Sequence, residues 1–520
     1  MIMAMEISLL PLVAPLVILL GGLVSPLVSK KEKLLFTINF VCFAVALVAN
    51  TWMLLKLGGG ALFYPNEYGV LVNSASAFVV EITLVLGLLG AIYSLRYFED
   101  RNILGPFYLL YSLFLTSLIL MAVSFNILMI YVAFEASTIS GGILILFTKR
   151  RSATKAAVRF FIMSVIGALT ILVGILYQNS LTGTFLLTKG AFAAIGAADA
   201  VVLASIYAIG FGIKVGVFPF GLLWLPSAHS EAPTAVSAIL SGVMVQIAAF
   251  AVSRVIGIIS PISDLLAYML IGLGGLSVIT GAALAAVEAT AGSKWSRFHV
   301  GSANIRGIKR IWAFSTSSEV GVFYLLLGLG LLVPSLLPVF MMGILLHFLN
   351  HGLSKALLFF DSGVVIETSH VADLSVLRGL GSSIGVNALT YLVGGLSLSL
   401  IPFTLGYTTF REFTSGNVSM GITALILTAA AFILFTTLYS FRCIMSGKPK
   451  MKVVSAGEHE KASALLRIPG VVLALCILTL GIIVTLGANG IAFQGYYLNI
   501  EEWFQVAAET IVAPFAGGLV

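Results

Sequence analysis

The stretch VVLASIYAIGFGIKVGVFPFGLLWLPSAHSEAP, residues Val201–Pro233, is mostly apolar, yet it contains three prolines and a lysine. A helix needs about 20 apolar residues to cross the hydrocarbon core of a bilayer. Pro219 lacks the amide hydrogen that an unbroken helix would use. Irregular backbone at membrane depth is tolerated only where it is buried in protein or lines water. The stretch therefore predicts a broken membrane-spanning helix inside a protein bundle.

The composition of the whole chain supports a membrane protein. Of its 520 residues, 59% are hydrophobic and 9% are charged, and the mean hydropathy is +1.10. A soluble domain carries about 25% charged residues. The formal net charge of +7 is therefore assigned to loops that face an anionic membrane surface, and nucleic acid is excluded as a partner.

Apolar runs of bilayer length recur along the chain and predict an all-α membrane protein of about fourteen transmembrane helices. The first run lacks a preceding basic segment and is too long for a signal-peptide core, so it is assigned to the mature protein. A final segment, 493–520, holds Glu501, Glu502, Trp503 and Phe504 and is predicted to be an interfacial amphipathic tail. The predicted helices are 7–28, 34–56, 75–96, 105–123, 126–147, 158–178, 200–223, 234–256, 264–287, 311–332, 338–360, 384–413, 419–441 and 468–490.

Basic residues test this count, because positively charged loops stay on the cytoplasmic side of a cell membrane. If the loops alternate sides and the first is cytoplasmic, 22 of the 28 basic residues fall on that side. Both termini are then predicted to lie outside. Lys214 and Lys355 fall within helices, and the opposite side receives only Lys56, Lys189, Arg254 and Arg411.

A second interruption follows in the other half of the chain, where Ile401-Pro402 precedes Gly406. Broken helices in corresponding positions of two halves are typical of an ion or substrate site. The two breaks suggest an internal repeat, although no repeat is visible in the residues themselves.

Ionisable groups inside apolar helices are energetically expensive and usually functional. Glu135 and Lys214 each lie in the middle of a predicted helix. If they are neighbours, each stabilises the charge of the other, and a proton can be moved when that balance changes. The alternative is a static buried ion pair that holds the bundle together.

His347, His351 and Lys355 recur every four residues and therefore share one face of their helix. Histidine both donates and accepts protons near neutral pH, so this column predicts a lateral proton path. Histidines that merely complete their hydrogen bonds in the core are the alternative.

Three further charged residues lie near the breaks. Glu412 follows Arg411 and is either a relay member or half of an ordinary surface ion pair. His229 and Glu231 follow Pro226 and either line a channel mouth or serve the next helix, which Glu231 is placed to cap.

Other chemistry is missing from the sequence. Cys42, Cys443 and Cys476 are dispersed, and there is no Walker-type loop, no HExxH and no GxGxxG after a strand. We predict no cofactor and no metal in this chain, so transport would draw its energy from an ion gradient or from a partner.

Three motifs carry a resemblance to a known family. WLPSAHSEAPTAVSA (Trp224–Ala238), GIKRIWAFSTSS (Gly307–Ser318) and NHGLSKALLF (Asn350–Phe359) follow one another in the family's order. They resemble the signatures of the antiporter-like subunits of respiratory complex I, of the large subunits of Mrp cation/proton antiporters and of the corresponding subunits of membrane-bound hydrogenases. The resemblance covers roughly residues 75–440.

The resemblance implies fourteen helices with two inverted five-helix repeats, each containing one broken helix. The domain organisation it implies is a single membrane domain, 1–520, with N-terminal helices in 1–100, a first repeat in 105–256, a second in 264–441, and a C-terminal helix and tail in 468–520.

The same resemblance implies a proton relay across the membrane centre. Glu135 and Lys214 match its first pair, His351 and Lys355 its centre, and Glu412 its end. Two positions depart from the family. Gln246 stands where many members have a lysine and does not carry a proton, and Glu319 stands where histidine or glutamine is common.

The sequence thus favours an ion-translocating membrane subunit of a larger complex, moving H⁺ with Na⁺ as a further candidate ion. Partners would be other membrane subunits, including iron–sulfur or nickel–iron subunits if the complex is a hydrogenase, a sulfane reductase or an NADH/quinone enzyme rather than an Mrp antiporter. A structural subunit with an impaired channel and a stand-alone secondary transporter are the alternatives.

Overall fold

The computed structural model describes residues 2–57, 69–70, 72–98, 100–259, 263–290, 307–374, 377–415, 419–447, 463–486, 491–493 and 496–498. These residues form a helical bundle in which thirteen helical spans are long and apolar enough to cross a membrane. The helices are α1 Ile2–Val24, α2 Glu32–Leu57, α3 Ser74–Tyr97, α4 Leu104–Val123, α5 Ile127–Ile145, α6 Arg151–Thr182, α7a Ala197–Val215, α7b Phe220–Glu231, α8 Thr234–Ile258, α9 Asp264–Thr290, α10 Ile308–Leu332, α11 Leu337–Ser369, α12a Asn387–Leu398, α12b Leu405–Ser415, α13 Met420–Met445 and α14 Ala464–Leu486.

Shorter elements complete the described chain. Single helical turns lie at Ser25–Val28, Arg101–Ile103, Leu146–Thr148, Lys189–Phe192, Pro334–Leu336 and Gly381–Ile384. Strands β1 Ile491–Phe493 and β2 Tyr496–Leu498 form an antiparallel pair. Within the predicted amphipathic tail, Phe493 and Tyr496–Leu498 therefore lie in strands, and Glu501, Glu502, Trp503 and Phe504 lie outside the described residues.

Every predicted helix corresponds to a helical segment. The division near Ser124 is real, because Ser124 is extended and the Asn126 side chain caps α5 by accepting a hydrogen bond from the Leu128 amide at 2.9 Å. The 384–413 segment consists of two short helices, α12a and α12b, in agreement with the interruption predicted at Pro402.

Some predicted boundaries and assignments were wrong. Helix α6 starts at Arg151, well before residue 158, and α11 continues to Ser369, past residue 360. Arg254, counted from its charge with the residues of the non-cytoplasmic side, is buried within α8. Its guanidinium donates to the carbonyl oxygens of Ala122 and Ser124, where α4 ends, so its charge is paired with orphan helix carbonyls rather than with water.

The centre of the bundle consists of α8, α10 and α11. The membrane-length window of α8 is entirely buried, whereas only 28% of that of α2 and 33% of those of α13 and α14 are buried, as expected for helices at the lipid boundary. Helix α9 packs closely along α10 through small residues, as is common where membrane helices approach each other.

Both predicted breaks are present. The first separates α7a from α7b at 216–219, and the second separates α12a from α12b at 399–404. Pro226, in contrast, is accommodated within α7b. At each break, a glycine at the second position of the following helix is required, because a Cβ on Gly221 or Gly406 would overlap the carbonyl oxygen of Gly216 or Ser397.

Candidate functional site

The first break leaves backbone groups that neighbouring side chains satisfy. The Phe218 amide donates to Ser277 Oγ at 3.0 Å, Ser317 Oγ donates to the Gly216 carbonyl at 3.0 Å, and Trp224 Nε1 donates to the Ile213 carbonyl at 3.0 Å. Such pairing is what irregular backbone requires away from water. The break is therefore a fixed part of the bundle that positions the residues on either side of it.

Lys214 lies at this break rather than in mid-helix, since it is the penultimate residue of α7a. A cation is stabilised at the C-terminal end of a helix. Its Nζ is buried, donates to Thr138 Oγ1 at 2.6 Å, and lies 4.5 Å from the centre of the Phe134 ring. The break and α5 together hold a buried ammonium group.

Glu135 lies on the adjacent helix α5 and is partly buried. Glu135 and Lys214 interact electrostatically, but no direct ion pair within 4.0 Å joins them among the described residues. The two groups are neighbours that bias each other's charge without being locked together.

The histidine–lysine column of α11 is buried at the centre of the bundle. The ring centres of His347 and His351 are 5.9 Å apart. Lys355 Nζ donates to the Trp312 carbonyl at 3.2 Å and to Ser315 Oγ, both on α10. The side chains of all three residues therefore face neighbouring helices rather than lipid.

Helix α8 contributes a widened turn at Leu240–Met244, of the π type that is frequent at functional sites. His351 Nε2 is 3.0 Å from the Ser241 carbonyl oxygen in this turn. Gln246 Nε2 donates to the Gly242 carbonyl, while its Oε1 and His351 Nδ1 are buried and lack partners among the described atoms. The widened turn brings Gln246 against the column beside Gly352.

Glu319 extends the column towards α10. One of its carboxylate oxygens is 3.7 Å from His347 Nε2, and its carbonyl oxygen is 2.9 Å from the same nitrogen. Glu319 also interacts electrostatically with Lys355. Sequence reasoning placed Glu319 only as a departure from the family, since nothing in its spacing indicates that α10 faces His347.

A carboxylate oxygen and one nitrogen from each of the two imidazoles, contributed by Glu319, His347 and His351, lie within 4.8 Å of one another. This donor set is one that zinc accepts. The Lys355 ammonium one turn away would repel a divalent cation, so the cluster suits proton exchange better than metal binding.

The other predicted residues lie around this centre. His229 is fully buried, with its ring 5.2 Å from that of Phe359. Glu231 accepts from Ser152 Oγ at 2.8 Å, and no side chain caps the start of α8, so the capping alternative is wrong. Glu412, on α12b, is partly buried and pairs with Arg411 at 3.0 Å.

Sequence reasoning also missed a buried lysine near Glu231. Lys309 was assigned to a loop, but it lies in the first turn of α10, and its Nζ donates to the Ala232 carbonyl at 3.1 Å. The signals in the sequence were its position next to the apolar run of α10 and its place in the motif Gly307–Ser318.

The fold and the site together define a multi-pass membrane protein with a buried row of titratable side chains at its centre. The family model of NADH:quinone oxidoreductase/Mrp antiporter transmembrane proteins matches residues 124–291 and 299–438, more than half of the chain. The chain therefore belongs to this family.

Individual relatives agree with this assignment. Hydrogenase-4 component B of Escherichia coli is 30% identical over 356 residues, which cover 65% of this chain and 49% of that relative, so the chain spans about half of its length. A chain of an archaeal membrane-bound sulfane sulfur reductase superposes with a TM-score of 0.80 at 18% identity, covering 98% of this chain and 99% of the other. A chain of the Mrp complex from Dietzia sp. gives a TM-score of 0.79 at 18% identity, with 98% of both chains covered.

Proposed function

We propose that this chain is the ion-translocating membrane subunit of a multisubunit complex and that it moves protons along a buried relay. The observation that carries the proposal is the contiguous buried series Glu319, His347, His351 and Lys355. Each member is within hydrogen-bonding or electrostatic reach of the next. Burying this many ionisable groups in a membrane is expensive without a function.

The chemistry of the series suits proton transfer. An imidazole accepts a proton at one nitrogen and releases it from the other. His347 Nε2 faces Glu319, and His351 Nδ1 is buried and lacks a partner among the described atoms. A proton can therefore move between the Glu319 carboxylate and Lys355 through the two rings without crossing lipid.

Glu135 and Lys214 form the input of the proposed relay. Because they attract each other without a locked ion pair, a displacement of either changes the stability of the charge on the other. A conformational or electrical event in a partner subunit would act on this pair, and Lys214 would then release or take up a proton.

The relay must also connect the input pair to the central column, against which Gln246 lies beside Gly352. Glutamine does not exchange protons but orients water through its amide. We propose that a water molecule at the unpartnered Gln246 Oε1 bridges this interval and that protons leave near Glu412. The Glu412 carboxylate lies on the half-helix that follows the second break.

The complex and its orientation are part of the proposal. The relatives are named as subunits or components of hydrogenase, sulfane sulfur reductase and Mrp complexes, which supports other membrane subunits as partners. Iron–sulfur or nickel–iron subunits would be present if a redox reaction drives the complex. The excess of basic residues in alternate loops supports a cell-membrane location with both termini outside. Two breaks with the same glycine arrangement support the inverted repeat.

Partner identity is tested by extracting the intact complex in mild detergent and identifying its subunits by mass spectrometry. Iron–sulfur or nickel–iron subunits would assign the chain to a redox-driven pump. Small hydrophobic partners alone would assign it to an Mrp-type antiporter. A solitary chain would favour the stand-alone transporter.

The relay is tested by partner-driven proton pumping of the reconstituted complex. Glu135→Gln should abolish pumping while leaving assembly intact, and Glu32→Gln, which alters a more exposed carboxylate paired with Arg101, should pump normally. Unchanged pumping by Glu135→Gln would contradict the proposal. A structural subunit would instead show impaired assembly, measured by gel filtration, when Lys355 is changed to Gln.

A further inference from the structure

Asp361 is a fully buried carboxylate of α11 that the proposed relay does not use. It lies six residues beyond Lys355 and eight before the end of the helix at Ser369, about 12 Å along the axis from that end. Its Oδ1 accepts from Asn387 Nδ2 at 2.5 Å, and its Oδ2 accepts from Thr390 Oγ1 at 2.6 Å. Both donors lie on α12a.

No basic side chain in the described part of the chain lies within 4.0 Å of this carboxylate. The nearby α14 contains Arg467, but one of its guanidinium nitrogens, Nη2, donates to the Ser383 carbonyl at 3.1 Å. A buried carboxylate without a counter-charge is unstable, so it requires either a proton or a small cation.

The surroundings of Asp361 supply oxygen ligands. Asn387 is buried, and its Oδ1 lacks a hydrogen-bond donor among the described atoms. A half-turn of this amide exchanges its nitrogen and oxygen and directs the oxygen towards the carboxylate. The carboxylate, amide and hydroxyl oxygens then form a ligand set for a hard cation.

Charge and space restrict the ion. A single carboxylate neutralises one positive charge, which excludes a divalent ion in a low-dielectric site. Gly470 of α14 closes the site, because a Cβ at that position would overlap Asp361 Oδ1, so little room remains for a large ion.

We propose that Asp361, Asn387 and Thr390 form a Na⁺-binding site between α11, α12a and α14. A proton neutralises Asp361 when Na⁺ is absent. The role of this site in transport rests on the proposed ion-translocating function, whereas Na⁺ binding is measured at equilibrium and does not require transport. Failure of one proposal is therefore distinguishable from failure of the other.

The test is ²²Na⁺ binding to the purified full-length chain or its complex in detergent, with choline chloride holding the ionic strength constant. Saturable binding is expected for the wild type, and its loss is expected in Asp361→Asn. Asp264→Asn changes an exposed aspartate at the start of α9 and should bind Na⁺ as the wild type does. Gel filtration and thermal unfolding report whether each variant is folded.

A second pair of variants keeps the test decisive if Asp361→Asn does not fold. Thr390→Ser retains the hydroxyl and should bind Na⁺, whereas Thr390→Val is nearly isosteric but lacks the ligand and should bind more weakly. The proposal is overturned if the wild type shows no saturable Na⁺ binding. It is also overturned if binding is unchanged in folded Asp361→Asn or, should that variant not fold, in Thr390→Val.

Discussion

The close packing of α9 against α10 makes a quantitative prediction about Gly274. A Cβ at this position would lie 2.5 Å from the Leu325 amide nitrogen, 2.7 Å from the Gly321 carbonyl oxygen and 3.0 Å from Leu325 Cα. All three atoms belong to the backbone, so no change of rotamer relieves the overlap. Reaching an ordinary contact of 3.4 Å requires the helices to separate by nearly an ångström.

Gly272, two residues earlier on α9, provides a matched control, since a Cβ there meets nothing within 4 Å. Both substitutions to alanine gain the same helix propensity, about 1 kcal/mol, and this gain cancels in the comparison. The difference between Gly274→Ala and Gly272→Ala therefore reports the overpacking, which we expect to be about 1–3 kcal/mol of lost stability.

The assay is thermal unfolding of both variants in the same detergent, followed by gel filtration. Gly274→Ala should unfold at a clearly lower temperature than Gly272→Ala. It should also pump protons less well, because α10 carries Glu319, and separating the helices moves this carboxylate relative to His347. Equal unfolding temperatures for the two variants would refute the reasoning about the helix contact.

Three further predictions concern buried polar contacts. Arg254→Met leaves two helix-end carbonyls without a donor and should destabilise the chain by about 1–3 kcal/mol. Thermal unfolding measures this loss, with Arg151→Met at an exposed position as the control. If the unfolding temperature of Arg254→Met falls no further than that of Arg151→Met, the prediction is wrong. Thr138→Val removes the hydroxyl that accepts a hydrogen bond from Lys214 and should slow proton pumping about tenfold. Thr138→Ser keeps the hydroxyl and should pump normally. Equal pumping rates for the two variants would show that this hydrogen bond does not contribute to pumping. Ser277→Ala removes the acceptor for the Phe218 amide at the first break and should increase the rate of hydrogen exchange at that amide. An unchanged exchange rate would contradict this prediction.

Much of the architecture was predictable because the membrane restricts the solutions. Every backbone polar group must be paired within the bilayer, so each apolar run of bilayer length becomes a helix. The prolines at 219 and 402 marked both breaks for the same reason. Boundaries were less predictable, as at Ser369, because charged and polar residues extend helices beyond the hydrocarbon region, where hydropathy is uninformative.

The candidate site was predictable only in part. The spacing of His347, His351 and Lys355 fixed a common helix face, and the charge of Glu135 and Lys214 in apolar surroundings marked them as exceptional. The partners of these groups were not predictable, because Ser315, Thr138 and Glu319 lie on other helices and look ordinary in the sequence.

The sequence by itself determined that this chain crosses a membrane many times, where its helices break and that Lys214 and Lys355 are buried, since these properties depend on local composition and periodicity. The tertiary structure decided which buried groups meet. It alone brought Glu319 to His347, the widened turn of α8 to His351, and Asn387 and Thr390 to Asp361, because contacts between helices distant in the chain depend on packing that no local pattern encodes.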